Sequence, residues 1–187
     1  MADKTALRRG VRGRFPGERV RQAESALICE TLRAWPPFAE AAVIAAFVPL
    51  DREADIRPLL RGIVAEGRIL ALPRCEGDGR MTFRRVTSPD QLVEGPYHLT
   101  EPEASLPVVP PETIRLMLVP LEAADRRLNR LGKGGGYYDR YIPGAVNALL
   151  CGVALRYQLT ETVPVEPHDR RLDALVTPDG LLLPETV

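Results

Sequence analysis

The eleven residues Arg130-Leu131-Gly132-Lys133-Gly134-Gly135-Gly136-Tyr137-Tyr138-Asp139-Arg140 set flexible backbone, fixed cations, two aromatic rings and a carboxylate side by side. That combination suits a phosphate cradle. Glycines let backbone N–H groups close on an anion with no Cβ in the way, and a helix starting near Gly136 would add its positive dipole end. Lys133 and Arg130 supply charge, Asp139 is placed to ligate a metal, and Tyr138 is the better of the two rings for stacking, Tyr137 packing as readily under the loop. Two common nucleotide fingerprints fail at named residues. Gly134 lacks the hydroxyl that a P-loop carries after its lysine, and Tyr137 stands where a dinucleotide pattern from Gly132 needs glycine.

These residues need a scaffold, and the chain reads as an alternation of helices and short apolar runs without internal repeats. A first helix is interrupted at Phe15-Pro16-Gly17, resumes to about Trp35 and stops at Pro36-Pro37. Ala42 to Val48 reads as a buried strand. Asp55 can cap a helix over residues 56–66, with Pro58 tolerated in its first turn. Strands follow at 69–72, 116–119, 149–155 and 174–176, with 81–86 as an edge strand or hairpin arm. The near-continuous apolar runs are those of strands covered on both faces. The expected architecture is one domain, residues 1–187, with a three-layer α/β fold: a mostly parallel sheet with helices on both faces. Ligands of such sheets bind beyond the carboxyl ends of the strands. The segment after Val48, with Glu53, and the glycine loop after Val119 would then share one rim.

The glycine-rich segment, with Pro120 and Asp125 upstream, resembles the signature of the 5-formyltetrahydrofolate cyclo-ligases, also called methenyltetrahydrofolate synthetases. Four further stretches match in order: Lys4 to Arg8, Pro49 to Asp55, Tyr97 to Pro102, and His168-Asp169 to Asp173. Leu128 stands where that pattern usually has glycine, Ala124 where it usually has an aromatic residue, and Arg57 near a usual threonine. The resemblance implies an enzyme that uses ATP and magnesium to convert 5-formyltetrahydrofolate to 5,10-methenyltetrahydrofolate through phosphorylation of the formyl oxygen. It assigns Lys4, Arg8 and Arg130 through Leu131, Gly132, Lys133, Gly134, Gly135, Gly136 and Tyr137 to Tyr138 to the nucleotide. Glu53 and Tyr138 fall to the folate, Asp139 with Asp169 to magnesium, and Lys133 and Arg130 to catalysis. Asp173 is the rival of Asp169, and Asp125 organises the approach to the loop.

Other features are bland. His168 beside Asp169 has no nucleophile to serve, His98 reads as exposed, and Trp35 reads as packing. Cys29, Cys75 and Cys151 fit neither a zinc site nor a disulfide framework and read as reduced thiols. Residues 1–21 carry seven cations against two carboxylates, yet the whole chain is neutral and lacks aromatic interleaving in that stretch, so nucleic acid is not the expected partner. No apolar run is long enough for a membrane helix and nothing marks export. A cytoplasmic monomer acting on a small molecule is expected. Two other classes compete: an isomerase or acyl-transfer enzyme on a similar scaffold with Glu53 as base, and a polyanion-binding module using the basic N-terminus.

Overall fold

The computed structural model describes residues 3–96, 99–167 and 169–184. In chain order the elements are α1 (Lys4–Arg12), α2 (Glu18–Ala34), α3 (Pro36–Glu40), β1 (Val43–Ala45), α4 (Arg57–Ala65), β2 (Ile69–Cys75), β3 (Met81–Val86), β4 (Leu92–Glu94), β5 (Thr100–Pro102), β6 (Leu116–Val119), β7 (Ala123–Ala124), β8 (Arg130–Leu131), α5 (Tyr137–Tyr141), β9 (Leu149–Val153), β10 (Ala174–Thr177) and β11 (Gly180–Leu182). Seven strands form one sheet in the order β11-β10-β9-β6-β1-β2-β3. The five inner strands are parallel, and β3 and β11 close the edges antiparallel. Hairpins β4–β5 and β7–β8 stand apart from this sheet.

The alternation of side chains along each strand builds two cores. Ile44, Leu116, Leu118 and Val153 pack with Ile28 and Leu32 of α2, Phe38 of α3, and Leu59 and Ile63 of α4. Ala45, Met117, Val119, Leu150 and Leu175 point the other way, onto Leu121, Leu128, Ile142, Leu172 and the rings of Tyr138 and Tyr141. Both faces are covered, as a parallel sheet requires, but the second layer is built largely from loops, hairpin β7–β8 and the five-residue α5. A third, smaller cluster docks α1 on that hairpin through Val11, Ala123, Leu131 and Val163.

The chain breaks fall where the residue types put them. Gly17 adopts φ +92° between α1 and α2, and Trp35 is extended at the end of α2. Pro36 and Pro37 stop that helix but also open α3, because proline's fixed φ and missing N–H are tolerated in a first turn. Asp55 sits one residue further out than a cap, its carboxylate accepting from Arg57 N at 3.1 Å. Among the described residues no helix is long and apolar enough to cross a membrane.

Leu128 is fully buried at φ +67°, which accounts for glycine being the usual residue at that place in the resembling pattern. Here the side chain joins the second core, so packing outweighs backbone strain. Replacing Leu128 by glycine would relieve about 1 kcal/mol of left-handed strain but remove a buried leucine worth about 3–5 kcal/mol. The expected outcome is a net loss of about 2–4 kcal/mol, read as a lower urea midpoint at unchanged slope.

Candidate active site

Four inner strands send their carboxyl ends to one side, and a cleft of about 380 Å³ opens there. The connection after β1 brings Phe47, Val48, Leu50 and Glu53; the end of β2 brings Pro73 and Cys75; β6 leads through Pro120 and hairpin β7–β8 to the glycine loop; the connection after β9 brings Asp169. Apart from Asp173, the residues that the sequence singled out for nucleotide, folate or metal line this cleft: Lys4, Arg8, Glu53, Arg130 to Asp139, and Asp169.

The approach to the loop is organised by Asp125. It is fully buried and accepts from Arg127 N and Asn129 N at 3.0 Å each, from Asn129 Nδ2 at 3.0 Å and from Val163 N at 2.9 Å. Those bonds hold the turn that delivers Arg130 onto β8. Within the loop Gly134 and Gly136 take φ +107° and +67°, conformations that side chains rarely adopt. The expected helix starts at Tyr137, but five residues carry only a small dipole, so most attraction for an anion must come from side-chain cations and loop N–H groups.

The cations reach the cleft from two segments, α1 and the glycine loop. Packing of α1 on hairpin β7–β8 carries Lys4 and Arg8 over the loop, where Arg8 Nε donates to Gly132 O at 2.8 Å. Lys4 Nζ lies 2.7 Å from Asp169 Oδ2 and 2.9 Å from Glu166 Oε2. Burial disfavours its charge, but the hydrogen bonds it donates to those two carboxylates, with their charge, outweigh burial and hold its pKa above the ordinary lysine value. Lys133, the most exposed of the three paired cations, lies 2.8 Å from Glu53 Oε1. Arg130 is almost entirely buried, bonds Asp139 Oδ1, and stands 5.8 Å from the centre of the Tyr138 ring.

Each predicted carboxylate therefore already faces a predicted cation. Glu53 is additionally fixed by Leu50 N, which donates to Oε2 at 2.9 Å, and by Arg21 Nη1, which donates to its carbonyl at 3.1 Å. Asp173 is separated from Asp169 by this geometry. Its Oδ2 accepts from Leu150 N at 2.8 Å, tying it to the sheet rather than to the cleft. Among the described residues no group of three or more potential metal ligands is found. A magnesium ion carried by phosphate oxygens needs only one or two protein carboxylates, and Asp139 and Asp169 both line this cleft.

The two tyrosines differ. Tyr138 packs edge-on against Phe83 with centroids 6.3 Å apart, and its buried hydroxyl has no hydrogen-bond partner. Burial drives that hydroxyl's pKa far above the phenol value. Tyr137 lies on the rim under the Arg140 guanidinium, 5.5 Å from its ring centre. Arg140 bonds Gly135 O at 2.6 Å and Gly79 O at 2.8 Å, clasping the loop to the β2–β3 turn. Among the cleft residues given no role from the sequence are Cys75 and Glu101, the latter lying in the Tyr97–Pro102 stretch that matches the family pattern. Tyr97, His98 and His168 lie outside the described residues.

Cys75 is free, and burial together with the neighbouring Glu101 carboxylate pushes its thiol up to about 11. At pH 8 about one such thiol in a thousand is ionised, against about one in four for an ordinary cysteine. Iodoacetamide labelling of Cys75, followed by peptide mapping, should therefore be slow at pH 8 and rise roughly tenfold per pH unit toward pH 11.

The pattern of the 5-formyltetrahydrofolate cyclo-ligase family matches residues 2–178. The 5-formyltetrahydrofolate cyclo-ligase of Escherichia coli strain K12 is 32% identical over 149 residues, covering 77% of this chain and 82% of its own. The enzyme of that name from Saccharomyces cerevisiae is 28% identical, covering 84% and 86%. Among solved structures, the 5,10-methenyltetrahydrofolate synthetase of Aquifex aeolicus superposes with a TM-score of 0.87 at 31% identity, over 98% of this chain and 94% of that one. A synthetase of Mycoplasma pneumoniae shares the fold at a TM-score of 0.75 and 20% identity. With the family pattern running through all four cleft-forming connections, the chain belongs to the 5-formyltetrahydrofolate cyclo-ligase family.

Proposed function

We propose that this protein converts 5-formyltetrahydrofolate and ATP to 5,10-methenyltetrahydrofolate, ADP and phosphate. The observation that carries this reading is the convergence, on one cleft, of a glycine cradle, Lys4, Arg8 and Lys133 for a polyphosphate with an apolar wall for a flat ring. In the proposed reaction the formyl oxygen attacks the γ-phosphorus and ADP departs. N10 then adds to the activated carbon and loses its proton, and the C–O bond breaks to release phosphate and leave the N5–CH–N10 amidinium.

In such a transfer, positioning and charge supply most of the help a protein can give. Lys133 is the cation best placed to follow the transferring group, being on the loop and half-exposed. Lys4 and Arg8 hold the remaining phosphates from α1. Arg130, buried and bonded to Asp139, acts by setting the direction of that carboxylate. Magnesium, held by Asp139 and Asp169, would neutralise phosphate oxygens. The Tyr138 ring forms part of the wall against which the pterin lies. The same reading takes the protein to act as a cytoplasmic monomer.

The test is the absorbance of 5,10-methenyltetrahydrofolate formed by the purified protein with and without MgATP. Product that depends on both ATP and magnesium is expected. Product without ATP would refute the proposed chemistry, and no product would refute the substrate.

A further inference from the structure

The cleft holds one more carboxylate, and its surroundings differ from those of the others. Glu101, on β5, is 3% exposed and lines the cleft among Phe47, Val48, Pro73 and Met81. Its Oε1 accepts from Cys75 N at 3.2 Å, whereas its Oε2 is buried without any hydrogen-bond partner. Glu53, Asp139, Asp169 and Glu166 all face a lysine or arginine; Glu101 forms no ion pair among the described residues. The carboxylate is also hemmed in. A Cβ added at Gly95, at the end of β4, would lie 2.5 Å from Oε2, so the β4–β5 hairpin presses bare backbone against it and limits its turning. Buried polar atoms without partners are rare in folded proteins, and in a binding cleft they mark a bond that a ligand completes.

The geometry points to Glu101 as the residue that reads the edge of the bound ring. A fixed carboxylate oxygen between apolar walls selects a flat, uncharged heterocycle presenting N–H donors in its plane. Resting on the substrate proposed above, those donors are N3–H and the 2-amino group of the 2-amino-4-oxopyrimidine edge. The sequence gives Glu53 to the folate, at the ring edge or the formamide; with one oxygen on Lys133 and the other on Leu50 N, it also links the two rims of the cleft.

The experiment compares wild-type and Glu101→Gln protein by calorimetric binding of 5-formyltetrahydrofolate and, separately, of MgADP. Glutamine keeps the shape but offers the ring edge a weaker acceptor. The folate dissociation constant should rise about 10- to 100-fold, the loss typical of a charge-assisted hydrogen bond, with MgADP binding unchanged. Unchanged folate affinity overturns the assignment. Should Glu101→Gln fail to fold, wild-type protein is offered 5-formyltetrahydrofolate lacking the 2-amino group. A loss of about tenfold or more supports Glu101, and equal binding overturns it. Wild-type protein that binds and turns over the substrate while Glu101→Gln binds it equally well refutes Glu101 alone; absence of turnover in the wild type refutes the reaction.

Discussion

Replacing Lys133 with alanine should lower kcat by about 100- to 1,000-fold while changing the KM for 5-formyltetrahydrofolate only a few-fold, because the loop cation acts where charge develops during phosphoryl transfer. Steady-state kinetics with the folate varied at saturating MgATP separates the two effects. The structure adds a second expectation. Lys133 is 44% exposed, so its pair with Glu53 contributes little to stability, about 0–1 kcal/mol, and the melting temperature should move by only a few degrees. A large fall in melting temperature with kcat retained would show that the lysine is a strut between the rims and not a phosphate contact.

Asp139→Asn should abolish magnesium-dependent turnover, lowering kcat by about 100-fold or more, if its carboxylate holds the ion beside the phosphates. Sequence reasoning alone expects the fold to be untouched. Arg130 changes that expectation, because its guanidinium side chain is 4% exposed and Asp139 is its carboxylate partner. Asparagine leaves a nearly buried cation with a neutral acceptor, at a cost of about 1–3 kcal/mol. Activity and urea midpoint should therefore fall together. Unchanged turnover at saturating magnesium would remove the metal assignment, and an unchanged midpoint would show that solvent relieves Arg130.

Much of this architecture is legible in the residues. The runs 116–119 and 149–153 are apolar throughout because both faces of each strand are buried, and that pattern needs no tertiary knowledge to read. Gly17 opens α2 and Pro36 ends it by local chemistry alone. Hairpins β4–β5 and β7–β8 were not read, since strands of two or three residues are too short to show alternation. They are also what places Glu101 and Arg130. The glycine loop announces itself by composition, whereas Glu101, though it lies in the matched stretch from Tyr97 to Pro102, is singled out only by an unpartnered oxygen that exists in three dimensions. The pairing of carboxylates with cations across the cleft is invisible in sequence for the same reason. The tyrosines are told apart only in three dimensions: Tyr138 lines the cleft while packing edge-on against Phe83, and Tyr137 lies under Arg140.

The contact between Lys4 and Asp169 spans 165 residues. During synthesis at about 5–20 residues per second, the nascent helix that carries Lys4 waits about ten to thirty seconds for its acidic partner to be made. Local helices can form in that interval, but β10 is the last of the parallel strands to be made, so the cleft is complete only after the connection carrying Asp169 has emerged. Chains cut short before residue 169 would keep the glycine loop yet lack one wall of the cleft. Such fragments would expose the unpaired edge of β9, a template for aggregation.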